Sequence, residues 1–202
     1  KPAEDTPLSC IKIVEMLLES GLPENRCYFC MPENIKLAEK LVSDERIDFF
    51  SFIGSAKIGW MLRSKLSPGT RCALEHGGMA PTFLTESTNL DIASKLLIKG
   101  GFYHAGQVCV SVQRVFVQKN IFDDFLSIFE KNLKPLKIGN PLDKKTEVGP
   151  LIRPSEVERV QEWVNESVSA GTSVLCGGNR ISETCFDKTV LINPGFSDKV
   201  SK

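Results

Sequence analysis

Gly106-Gln107-Val108-Cys109 places a thiol between an apolar helical stretch and a stretch with strand alternation. Nucleophilic cysteines favour such junctions, where neighbouring backbone N–H groups can stabilise a thiolate or an oxyanion. Leu74-Glu75-His76-Gly77-Gly78 ends an apolar run with a carboxylate and two glycines. A carboxylate at the end of a parallel strand lies at the edge where α/β proteins bind ligands. Phe52-Ile53-Gly54-Ser55 joins a strand to a helix. A helix N-terminus offers unpaired N–H groups and the positive end of a dipole, which suit a phosphate. On spacing alone each motif has a plainer reading. Taken singly, that plainer reading is favoured for each: Cys109 as a buried structural cysteine, Glu75 as a solvated turn residue, and Gly54-Ser55 as an ordinary tight turn.

Other chemistry-bearing residues give less. Cys27-Tyr28-Phe29-Cys30 has redox spacing, but on a strand residues three apart point to opposite faces, so we read it as structural. Cys10, Cys72, Cys176 and Cys185 have no spacing suited to a metal. The two histidines, His76 and His104, have no partners spaced to complete a zinc site, and no Ser-His-Asp arrangement stands out.

The elements that must position these residues follow from periodicity. Leu8, Ile11, Val14, Leu17 and Leu18 recur at helical spacing after Thr6, a capping residue, and Pro7; Gly21 and Pro23 stop that helix. Cys27 to Met31 reads as a strand, and a helix carries Ile35, Ala38, Leu41 and Val42. Ile47 to Ile53 is a strand, 56–66 a helix, and the chain after Pro68-Gly69 a strand ending at Glu75. Alternation of this kind implies parallel strands with crossover helices. Pro81 to Leu84 then reads as a strand. A helix runs from Asn89, its cap, to about Leu97 and is broken by Gly100-Gly101. Gln113 to Gln118 reads as a strand, and Asn120 caps a helix through Leu133. Ser155 to Glu158 has a capping-box pattern before a helix that Gly171 ends. Strands near 173–176 and 188–192 close the chain.

Composition bounds the class. The 202 residues carry 25 basic and 25 acidic side chains and are 42% hydrophobic. That length fits one large domain or two small ones, and can bury a core without disulfides. Zero formal charge and no basic block argue against nucleic-acid or anionic-membrane partners. No apolar run approaches the ~20 residues that span a bilayer. Seven scattered cysteines fit a reducing, cytoplasmic setting. No secretory signal opens the chain, and its start at Lys1 points to a missing N-terminal part.

Taken in order, the motifs become specific. Lys1-Pro2-Ala3-Glu4, Thr6-Pro7-Leu8, Phe52-Ile53-Gly54-Ser55, Leu74 to Gly78, Gly106 to Cys109, Gly139-Asn140-Pro141 and Gly149-Pro150-Leu151-Ile152 together resemble the aldehyde dehydrogenase superfamily over essentially the whole chain. The stretch Tyr103 to Arg114 is similar to the branch with lactaldehyde- and semialdehyde-type enzymes. The resemblance implies an α/β fold: residues 1–77 as the C-terminal half of a Rossmann-like NAD(P)-binding domain, and 78–202 as the N-terminal half of a catalytic domain. It implies NAD(P)-dependent oxidation of a small aldehyde to a carboxylic acid through a cysteine thiohemiacetal and thioester. Cys109 matches the nucleophile, and its backbone N–H one oxyanion donor. Glu75 matches the base that activates water. Lys1 and Glu4 match residues that hold the adenosine ribose, and Gly54 and Ser55 the turn near the pyrophosphate. A carboxylate at Glu4 accepts from a ribose 2′-OH and repels a 2′-phosphate, which favours NAD over NADP.

Two departures stand out. His104 occupies a position where many members carry Asn, and His76 one where many carry Leu. A charged His76 would lower the pKa of Glu75 and weaken it as a base, so His76 is expected to point away or stay neutral. The resemblance also implies absent parts: an Asn oxyanion donor upstream, and a Glu-x-Phe-Gly-Pro motif and an oligomerisation strand downstream. The parent protein is then a homo-oligomer. The chain reads as an internal piece that exposes apolar faces, and its turnover by itself is expected to be negligible, since one lost oxyanion donor costs about 10²–10³ in rate. The alternative is a non-catalytic nucleotide-binding or interaction module that keeps the scaffold. Selective alkylation of Cys109 among the seven cysteines favours the enzyme; indiscriminate labelling favours the module.

Overall fold

Phe49-Phe50-Ser51-Phe52-Ile53 forms a strand because aromatic and branched side chains fit a pleated surface, and Gly54 then releases the chain into a turn. The computed structural model describes all of residues 1–202. It divides into two units, Lys1–His76 and Gly77–Lys202.

In the first unit α1 is Leu8–Glu19, α2 Ile35–Val42, β1 Phe49–Ile53, α3 Ala56–Arg63 and β2 Arg71–Glu75. Strands β1 and β2 are parallel, in register from Phe49 with Arg71 to Ile53 with Glu75. Helix α3 makes the crossover that a parallel pair requires. Asn34 caps α2, its side chain accepting from the Leu37 N–H at 3.0 Å. Two expectations fail here. Thr6 does not cap α1; Pro7 holds the cap position, and no side chain bonds the free N–H groups. Cys27 to Met31 is not a strand, because no segment of the chain pairs with it. The α1–α3 faces carry exposed apolar residues, as expected, including Leu8, Leu17, Ile35, Leu41 and Trp60.

In the second unit β3 is Thr82–Leu84, α4 Leu90–Phe102, β4 Val115–Val117, α5 Phe122–Leu133, α6 Pro154–Ser169, β5 Ser173–Cys176 and β6 Val190–Ile192. Strands β3 and β4 are parallel, whereas β5 and β6 are antiparallel with a bulge between Val174 and Cys176. The whole buried apolar core lies in this unit. Its main cluster is Leu84, Leu97, Ile98, Phe125, Phe129 and Leu133. Apolar residues four apart on α5, Phe125, Phe129 and Leu133, share the face that meets α4. The one polar side chain buried on α4, Ser94, is satisfied, because Asn132 donates to its hydroxyl at 3.2 Å. Lys188 donates to the Lys134 and Leu136 carbonyls and so satisfies the C-terminal end of α5.

Three local expectations are corrected. Gly100-Gly101 does not break α4, which continues to Phe102. A Cβ at Gly100 would lie 3.1 Å from Val112 Cγ2, and one at Gly101 3.0 Å from the Val112 carbonyl oxygen. These glycines serve a close crossing by the returning chain. Asn120 does not cap α5; it sits in a short 3₁₀ turn and donates to Glu86 Oε2. Ser155 lies inside α6, because Pro154 already occupies the first helical position. No helix is long and apolar enough to cross a membrane.

Leu133 is 1% exposed at the centre of the core. Leu133→Ala is expected to destabilise the protein by about 2–5 kcal/mol, read by chemical denaturation.

Candidate active site

In the first unit, β2 delivers Glu75 to its C-terminal end. The Gly54 N–H donates to the Glu75 carbonyl at 3.0 Å, so the β1–α3 turn is tied to that end. The Gly54 carbonyl lies 3.3 Å from His76 Nδ1, which fits the tautomer with the proton on Nδ1. The His76 ring packs on Gly59: a Cβ there would meet His76 Cε1 well inside contact distance. Its Nε2 is buried without a partner. The ring is therefore turned into the β1–α3 turn, and no hydrogen bond or ion pair joins it to Glu75. This explains how a histidine is accommodated beside the carboxylate.

Ser55 precedes α3 with extended backbone, and its side chain makes no capping bond. Ser55, Ala56 and Lys57 are exposed. The first-turn N–H groups of α3 have no partner within the helix and face no capping side chain. Lys1 and Glu4 are brought together, Nζ to Oε1 at 3.8 Å, while Lys1 also donates to the Pro2 carbonyl. No hydrogen bond links this pair to the Gly54-Ser55 turn.

In the second unit, Cys109 is exposed on the loop between α4 and β4. The loop begins with an abrupt reversal. His104, Ala105 and Gly106 have φ of 49°, 56° and 77°. Left-handed backbone costs roughly 1–2 kcal/mol per residue that carries a Cβ. Asn and His are among the residues most often found there. His104 thus suits the conformation of this position, as the Asn expected from the family resemblance would. The far side of the loop is pinned to α4: the Val112 N–H donates to the Gly100 carbonyl at 3.1 Å, and the buried Ser111 hydroxyl to that of Gly101 at 3.3 Å. The Cys109 N–H makes no hydrogen bond. It is therefore available to a ligand oxygen.

Gly78 and Cys109 also meet. A Cβ at Gly78 would lie 2.6 Å from the Cys109 carbonyl oxygen, so only glycine fits. Gly77 faces open space, so the close approach belongs to one glycine of the pair. A hollow of about 290 Å³ is lined by Leu96, Lys99, Tyr103, Val108, Val110 and Ser111, with the residues on both sides of Cys109 in its wall.

The remaining cysteines divide by environment. Cys185 is buried. Burial pushes the Cys176 thiol above its ordinary value, and its Sγ donates to the Lys188 carbonyl at 3.3 Å. Cys10 and Cys30 are exposed, as Cys109 is, but lie in the first unit. Sequence reading missed the side chain of Gln107, which bonds to residues more than forty positions away. Nothing local signals such a link.

The two units hold an α/β arrangement with parallel strand pairs, an open helix N-terminus and a thiol on a fixed loop. The model of the aldehyde dehydrogenase family matches residues 1–202, so the chain belongs to that family. It is 36% identical, over all 202 residues, to a 3-sulfolactaldehyde dehydrogenase of Priestia aryabhattai, of which it covers 42%. Over 194 residues, 94% of the chain, it is 36% identical to a lactaldehyde dehydrogenase of Methanocaldococcus jannaschii, again covering 42%. Among solved structures, an Escherichia coli NADP-dependent enzyme superposes over the whole chain with a TM-score of 0.94 at 30% identity. An aldehyde dehydrogenase of Physcomitrella patens in complex with succinate does so at 0.91 and 32%. The chain covers 42% of each of those two structures. It therefore spans about two fifths of the length of these relatives.

Gly78→Ala is expected to displace the Cys109 backbone and destabilise the protein by about 1–3 kcal/mol. His104→Asn is expected to keep stability within about 0.5 kcal/mol, since both residues tolerate left-handed backbone. Thermal unfolding of the two variants beside wild type checks both.

Proposed function

We propose that the protein carrying this chain oxidises a small aldehyde to a carboxylic acid with NAD or NADP, using Cys109 as nucleophile and Glu75 as general base. The observation that carries this reading is the state of Cys109: an exposed thiol whose own N–H is unpaired, on a loop fixed to α4. A thiol attacks a carbonyl well and leaves well, so it divides one difficult oxidation into two easier steps. Attack on the aldehyde carbon forms a thiohemiacetal, and the Cys109 N–H donates to the oxygen that gains charge. Loss of hydride leaves a thioester on Cys109. Glu75 takes a proton from water, and the resulting attack on the thioester carbon releases the acid and the thiol.

The residues of the first unit fit a dinucleotide. The uncapped first turn of α3 offers N–H donors to a diphosphate at Gly54-Ser55, and Glu4 offers an acceptor to a ribose hydroxyl. NAD or NADP held there supplies the hydride acceptor. The Glu4 carboxylate favours NAD. On this reading residues 1–77 belong to the cofactor domain and 78–202 to the catalytic domain. The names of two relatives, a 3-sulfolactaldehyde and a lactaldehyde dehydrogenase, support a short aldehyde as the substrate class.

In the protein at its full natural length, Cys109→Ser is expected to abolish aldehyde oxidation. Glu75→Gln is expected to lower steady-state turnover by about 10²–10⁴ while leaving a rapid first turnover, because the thioester accumulates. Stopped-flow measurement of cofactor reduction separates the two. Sustained turnover by Cys109→Ser would overturn the proposal.

A further inference from the structure

The side chain of Gln107 is exposed, yet it makes three hydrogen bonds. Its Nε2 donates to the His104 carbonyl at 3.1 Å and to the Pro150 carbonyl at 3.2 Å. Its Oε1 accepts from the Ile152 N–H at 2.9 Å. An amide has two N–H donors and one oxygen with two acceptor sites, so three of its four positions are used. The pattern also fixes its orientation. Two carbonyls require the NH₂ end and one N–H requires the oxygen, so a flipped amide loses all three bonds.

The partners lie at two distinct places. His104 opens the left-handed reversal, where the Gln107 N–H also donates to its carbonyl at 3.1 Å. Pro150 and Ile152 flank Leu151, whose N–H donates to the Thr184 carbonyl at 2.8 Å. The far anchor is therefore itself anchored. Gln107 stands two residues before Cys109, and the chain after Cys109 is pinned by Ser111 and Val112. The nucleophile sits on a short span held at both ends, and the Gln107 amide is the side-chain fastening at its leading end.

We propose that Gln107 is a positioning residue for the Cys109 nucleophile, tying the left-handed reversal to the Pro150–Ile152 segment and so fixing where the thiol and the Cys109 N–H point. This rests on Cys109 being the nucleophile. The side chain touches no reacting atom; it acts through two peptide units. Reaction rates are steep in such placement, with a misplacement of ~1 Å costing on the order of 10²-fold.

Two substitutions at near-constant size test this in the full-length protein. Gln107→Met removes every hydrogen bond. Gln107→Glu keeps the acceptor for Ile152 but sets a carboxylate against two carbonyl oxygens. The readouts are the rate of iodoacetamide alkylation at Cys109, followed by peptide mass, together with kcat, KM and thermal midpoint. For Gln107→Met we expect alkylation and kcat to fall about 10–100-fold, with KM for the aldehyde within about threefold of wild type. Gln107→Glu is expected to match that loss near about pH 8. Relative to wild type it should then recover towards about pH 5, because the protonated carboxyl regains one donor. A purely structural role lowers the thermal midpoint without this pH-dependent recovery. Wild-type alkylation rates and kcat in both variants, or a Gln107→Glu profile parallel to wild type throughout, overturn the inference. Unlabelled Cys109 in the wild type, with turnover surviving in Cys109→Ser, removes the nucleophile assignment and this inference with it.

Discussion

Three consecutive residues with positive φ, His104, Ala105 and Gly106, turn the chain back on itself after α4 and set the position of everything that follows in the loop. Two of the three carry a Cβ and oppose this conformation. It persists because the surroundings over-determine it. The Gln107 N–H and side chain hold the His104 carbonyl from one side. Ser111 and Val112 hold the returning chain to Gly100 and Gly101 from the other, and the absence of side chains at those glycines lets it come that close. An exposed thiol on a free loop would sample many orientations. Here the loop is short, strained and fastened, which is what a nucleophile with a backbone oxyanion donor requires.

The second unit can support such a loop because it has a core. The α4–α5 interface, centred on Leu97, Ile98, Phe125, Phe129 and Leu133, gives α4 a rigid face from which Gly100 and Gly101 present their carbonyls. The first unit is built differently. Its helices bury no apolar side chain, and its order rests on the β1–β2 ladder and on bonds such as Thr70 to the Ile47 carbonyl and Ser67 to the Ser43 carbonyl. The apolar faces of α1 and α2 are amphipathic in sequence and open to solvent, in a chain that spans about two fifths of the length of its relatives.

The two histidines have separate physical roles. His104 is of a residue type that tolerates the left-handed backbone it adopts. His76 fills the space above Gly59 and uses Nδ1 on the Gly54 carbonyl, joining the β1–α3 turn to the end of β2 by a side-chain bond that leucine cannot make. Its Nε2 is left buried and unpaired, a cost of order 1–3 kcal/mol for such a group.

Much of the architecture was legible in the residues alone. Periodicity located every α-helix and all six strands, because apolar patterning follows burial, and Asn89 capped α4 as a short polar side chain before a helix should. Caps failed at Thr6, Asn120 and Ser155: Pro7, Ile121 and Arg153 hold the cap positions without a side-chain capping bond, and the Asn120 amide donates to Glu86 instead. Cys27 to Met31 has strand composition, but pairing, not composition, makes a strand. The sequence by itself determined the family motifs, the parallel pairing of β1 with β2 and which thiol and carboxylate to examine, because those are carried by residue type, element alternation and short spacing. Only the tertiary structure decided that Gly100, Gly101 and Gly78 exist for close crossings, that residues 104–106 are left-handed, and that Gln107 reaches Pro150 and Ile152. Each of these depends on where distant backbone lies in space, and no local spacing encodes that.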